Sequence, residues 1–127
     1  MKNAGRRSLP FTLLVFVSFL AAQVFGAPRT TVNGEVVETY CWAVHQVGGA
    51  GHAQCGIECA KRGLPVALYD PKSRTGYILL PARDKMSLPA ALVAAMGQRV
   101  TIDGELAPRG GIQFLIVQSW RLDAARH

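Results

Sequence analysis

The chain has 127 residues, with fourteen Lys and Arg against eight Asp and Glu, three His and three Cys. That length holds one domain of modest size, and an odd cysteine count excludes a framework in which every thiol pairs within the chain. The formal charge of +6 is inflated by Lys2, Arg6 and Arg7; residues 27–127 carry +3, scattered except for Lys61-Arg62, which excludes a nucleic-acid-binding stripe.

Residues 1–26 have the pattern of an export signal. Lys2, Arg6 and Arg7 form a basic start, Leu9–Phe25 an apolar run, and Val24-Phe25-Gly26 a cleavage site that leaves Ala27 as the new N-terminus. Pro10, Thr12, Ser18 and Gln23 interrupt the run, which is short for a membrane span. The expectation is an exported protein, periplasmic or secreted, with no stable membrane span after cleavage. Residues 27–127 then form one domain with a Cys/His insert at 41–63.

The elements follow in order. Thr31–Tyr40 reads as a strand rich in Val and Thr, with Gly34 placed where a bulge or tight coil needs it. The insert comes next, entered through Gly48-Gly49-Ala50-Gly51, and its spacing predicts a helix over Gly51–Arg62 closed by Gly63 and Pro65. Pro65–Tyr69 and Thr75–Leu80 read as strands joined by Asp70-Pro71-Lys72-Ser73-Arg74, a stretch with hairpin-turn chemistry. Ser87–Met96 reads as a helix with Ser87 as N-cap, Leu88, Leu92 and Met96 on one stripe, and Gly97 as stop. Gln98–Ala107 and Ile112–Leu122 read as the last two strands, joined through Arg109-Gly110-Gly111.

Five strands with a helix between the third and fourth is the order of an OB-fold. The expected class is therefore mainly β: a small five-stranded OB-like barrel, with a short Cys/His-bearing helix inserted between strands 1 and 2. Another small barrel, or an open sheet capped by the helix, is the alternative.

The insert carries the chemistry. Cys41–Cys59 holds all three cysteines and two of the three histidines. On a helix over Gly51–Arg62, His52, Cys55 and Cys59 occupy positions i, i+3 and i+7, an arc of roughly 60°. Cys41, at the end of the first strand, can reach the same face. Three thiolates and one imidazole make a full tetrahedral set for zinc, and soft thiolates also suit copper(I). Cys41, His52, Cys55 and Cys59 are thus the candidate metal ligands, with His45 as a spare. The expected function is metal storage, delivery or sensing, with another exported protein donating or receiving the metal.

A disulfide from Cys41 to Cys55 or Cys59 is the competing reading. It closes a loop of 15 to 19 residues, stabilises by about 3 kcal/mol in the chain-entropy model, and turns the domain into a stapled interaction module for a partner protein or small ligand. Thiol-redox activity is less well supported, since C-x-x-x-C is not C-x-x-C and no thioredoxin-like pattern surrounds it. No residues pair as a catalytic acid and base: Glu35, Glu38, Asp103 and Glu105 read as solvated strand positions. Trp42 and Trp120 read as core or barrel-mouth aromatics and Tyr40 as strand packing; Met86 and Met96 could serve copper, though Met96 fits the helix stripe and reads more simply as core.

The run from Gly34 to Leu68, with C-x(10)-H-x-x-C-x-x-x-C followed by G-L-P-V, resembles an uncharacterised family of exported bacterial OB-fold-like domains. The resemblance extends through Tyr77–Leu80, Gly97–Thr101 and Arg109-Gly110. It implies the fold and the Cys/His module together, and implies neither a substrate nor a reaction.

Overall fold

The computed structural model describes residues 26–124. The export signal expected over 1–26 and the terminal His127 lie almost wholly outside the described residues. Among the described residues, no helix is long and apolar enough to cross a membrane.

The strands are β1 (Arg29–Glu38), β2 (Val66–Asp70), β3 (Thr75–Leu80), β4 (Arg99–Leu106) and β5 (Phe114–Leu122). They close into a five-stranded ring in the order β1-β2-β3-β5-β4. Every pairing is antiparallel except β3 with β5, where Ile78 to Leu80 run alongside Phe114 to Ile116. The insert contributes one π-turn (Cys41–His45), a short 3-10 turn (Ala50–His52) and helix α1 (Ala53–Lys61); α2 (Ala90–Ala94) lies between β3 and β4. The expected sequence of elements is present.

Period-2 alternation puts Val32, Gly34, Val36 and Glu38 of β1 inside. Val36 meets Leu68 from β2, Leu92 from α2, Val100 and Ile102 from β4 and Leu115 from β5, all fully buried. Each such side chain contributes roughly 1.5–3 kcal/mol of burial. α2 closes one end of the ring through Leu92, Ala95 and Met96.

β1 is shared between two partners, pairing with β4 over Arg29–Glu35 and with β2 over Glu35–Glu38. Gly34 sits at this changeover, and a Cβ there would collide with the Tyr69 carbonyl. At Gly104 a Cβ would likewise collide with a backbone carbonyl, that of Ile116, next to the register shift at Asp103/Gly104. The similar tripeptides Asn33-Gly34-Glu35 and Asp103-Gly104-Glu105 thus each place a glycine at a close approach of backbone. Gly34→Ala is expected to destabilise the domain by roughly 1–3 kcal/mol, the usual cost of forced overpacking. Urea unfolding measures it; an unchanged midpoint would show that β1 does not cross there.

The turn between β2 and β3 is built as its composition suggests. Asp70 accepts hydrogen bonds from Lys72 N and Ser73 Oγ, each at 2.8 Å.

Three expectations need correction. The second helix is five residues long, and its N-cap is Pro89 instead of Ser87. Pro89 forces Leu88 away from helical backbone, and the Pro89 carbonyl accepts from Leu92 N and Val93 N to start the helix. β1 ends at Glu38, two residues early, because Tyr40 already has helical backbone and its side chain is exposed. Glu38 is not solvated: it is 2% exposed, in phase with Val32 and Val36.

Candidate metal centre

Local structure brings the three cysteines together from two elements. Cys41 opens the π-turn, which ends when Gln46 takes a left-handed conformation and donates its N–H to the Cys41 carbonyl. Cys55 and Cys59 lie one turn apart on α1. That helix packs Ala53, Gly56, Ile57 and Ala60 toward the ring, a spacing that leaves the two cysteines at the edge of its buried face.

The end of α1 is fixed by a Schellman motif. Gly63 N donates to the Ala60 carbonyl at 3.0 Å and Leu64 N to the Cys59 carbonyl at 3.2 Å, with Gly63 at φ +96°. The backbone of Cys59 is therefore held where the chain turns back into β2. At the other end, Gly49 accepts from His52 N at 3.0 Å, and Gly97 packs so closely on the Gly49 carbonyl that no Cβ would fit between them.

The sulfurs of Cys41, Cys55 and Cys59 all lie within 4.8 Å of one another. All three are free, with no disulfide between them. Sulfurs bound to one tetrahedral zinc stand about 3.8 Å apart for a metal–sulfur bond near 2.3 Å, so a small contraction suffices to close the trio on an ion. Exposure is graded across it: Cys41 is buried, Cys59 half-buried and Cys55 exposed.

Glu38 shapes the buried corner. Its carboxylate accepts Tyr40 N at 2.7 Å and Cys41 N at 3.0 Å, as a side-chain cap does at a helix start. Burial pushes the Glu38 carboxyl up, but the Cys41 and Tyr40 amides, with the Cys41 thiol and Thr39 hydroxyl, outweigh it and hold it below its usual range. The reciprocal effect is on Cys41. Its hydrogen bond to Glu38, then burial and the negative charge of Glu38, push the thiol up to about 12. Burial, followed by the charge of Cys55, raises Cys59 as well. A metal entering the trio has to displace these protons.

The two histidines do not join the sulfurs. His45 is exposed, edge-on to Tyr40 with ring centroids 5.5 Å apart. His52 lies outside the mutual 4.8 Å group; its Nε2 is buried without a hydrogen-bond partner, and the residue lines a narrow cavity beside Cys41 and Glu38. Trp42 stacks edge-on against Tyr69 at 4.5 Å, and both line an open groove of about 450 Å³ over β2 and β3. Glu38 is the residue that composition concealed. Its phase with Val32 and Val36, three residues before Cys41, is the signal that marks it.

Comparison with protein-family models, curated proteins and solved structures finds no match.

Proposed function

We propose that the chain is an exported OB-like barrel whose first connection holds one exchangeable transition-metal ion, zinc or copper(I), on Cys41, Cys55 and Cys59. The observation that supports this is the convergence of three free sulfurs, within 4.8 Å, from the π-turn after β1 and from α1. The strand order, with its parallel β3/β5 closure, supports the OB assignment.

Thiolates suit zinc and copper(I) over hard cations. The exposed Cys55 leaves the ion accessible to an incoming ligand, while buried Cys41 anchors it, an arrangement suited to delivery through another exported metal-handling protein. His52, the fourth ligand the sequence offers, lies outside the 4.8 Å group, so the outer site rests on the three sulfurs. The stapled-module alternative retains the Trp42/Tyr69 groove as its one supporting feature, but lacks the disulfide on which it depends.

Competition titration of the full chain against a chromophoric chelator, with Zn(II) and anaerobically with Cu(I), tests the reading. Metal loading is expected to protect Cys55 and Cys59 from alkylation. Continued alkylation of Cys55 and Cys59 in the presence of excess metal would contradict it.

A further inference from the structure

Among the described residues, His52 Nε2 is a buried side-chain nitrogen with no hydrogen-bond partner. An orphaned buried imidazole nitrogen calls for an explanation. His52 lines a cavity of about 10 Å³, room for one atom-sized occupant, together with Val36, Glu38, Cys41, Gly56 and Met96.

Water competes for this space. It needs two to four polar partners, and much of the surrounding polar backbone is already engaged. Val36 N donates to Gln98 O, the Val36 carbonyl accepts Gly97 N, and the Gly49 carbonyl accepts His52 N. The Glu38 carboxylate takes the Tyr40 and Cys41 amides. Soft donors are among the groups left. Cys41 brings a thiol and Met96, 3% exposed, a thioether. Gly56 admits that thioether beneath α1, since a Cβ at Gly56 would stand 3.1 Å from Met96 Sδ and 2.8 Å from Cγ.

Thiolate, thioether and imidazole together favour copper(I) over zinc. We propose that this cavity is a second, inner copper(I) site, held by Cys41 Sγ, His52 Nε2 and Met96 Sδ. Cys41 is shared with the outer trio, so the inference rests on the reading of Cys41 as a metal ligand. Its thiolate bridges the two ions after losing its proton to solvent, and copper enters and leaves as Cu(I) without a redox step. The outer position, reached through exposed Cys55, exchanges metal; the inner position retains it.

The test is anaerobic Cu(I) titration of the full chain against a chromophoric Cu(I) chelator, with a parallel Zn(II) titration. The wild type is expected to take two Cu(I) but one Zn(II). His52→Ala is expected to take one Cu(I), and the Cys55→Ser/Cys59→Ser variant one Cu(I), with nitrogen and sulfur neighbours in its X-ray absorption spectrum. Met96→Leu keeps the core volume and should weaken the second Cu(I) at least about tenfold while leaving Zn(II) unchanged, so it serves if His52→Ala misfolds. An unchanged Cu(I) count in His52→Ala, or an unchanged second affinity in Met96→Leu, overturns the inner site. A wild type taking one Cu(I) and a Cys55→Ser/Cys59→Ser variant taking none overturns the inner site and leaves the outer one standing. One Cu(I) in both proteins, lost from His52→Ala, overturns the outer site instead.

Discussion

Cys41→Ser is expected to cost the trio its metal, with affinity falling roughly 100- to 1,000-fold for zinc. A four-ligand structural zinc site gains about 10–16 kcal/mol on binding, so one ligand accounts for roughly 2.5–4 kcal/mol, and each 1.4 kcal/mol is a factor of ten. Cys41 matters most because it is the only sulfur supplied by the first connection's π-turn; Cys55 and Cys59 belong to α1 and remain together without it. Cys55→Ser should cost less, since Cys55 is exposed and water can replace it. Competition titration measures both. Equal affinities for wild type and Cys41→Ser would mean that the metal, if bound, sits elsewhere.

Glu38→Ala is expected to lower stability by about 3 kcal/mol, or roughly 15 °C in Tm for a domain of about 100 residues. Removing the carboxylate leaves the buried Cys41 N–H without its acceptor and uncaps the turn that presents Cys41. Glu38→Gln keeps one acceptor oxygen and should cost about half as much. Metal affinity should fall about 10- to 100-fold in Glu38→Ala, the range for a group that orients a ligand. Thermal melts of the metal-free chain separate this from metal loss; an unchanged Tm would show that Glu38 does not hold the turn.

The same carboxylate sets an acid dependence. Its native value lies below the unfolded value of 4.5, so its contribution is present above that value. The contribution is lost as pH falls below 4.5 through the lower native value. Asp123, held down first by its bond from Asn33, behaves in the same direction. Denaturant unfolding from pH 6 to pH 3 should therefore show stability declining below about pH 4.5, with a shallower decline in Glu38→Gln. Parallel curves for the two proteins would contradict this role.

The elements most visible in the sequence were those with strong local chemistry. Gly63 and Pro65 marked the end of α1 because a Schellman turn needs a left-handed residue, and Asp70 marked the β2–β3 turn because its side chain can bond the backbone ahead. Thr75–Leu80 is a strand over its whole expected range. Ser87 misled because capping preference is local, whereas Pro89 two residues later keeps the approach extended.

The site was legible in part. The i, i+4 pair Cys55/Cys59 follows from helical spacing, and Cys41 joins it because β1 ends beside α1. Helical spacing also put His52 on that face, but the residue lies in the 3-10 turn before α1, where its angular position departs from the α-helical period. Glu38 was hidden by its charge: residue type suggested solvent, and only the strand alternation pointed inward.

The central claim is tested most directly by elemental analysis with thiol titration on the full chain, purified without added metal or reductant. The account predicts at least one transition-metal ion per chain, with Cys55 and Cys59 protected before chelation and all three thiols titrating once the chelated chain is unfolded in denaturant. No metal together with a single titratable thiol would contradict it, and would mean that Cys41 is bonded to α1 by a disulfide.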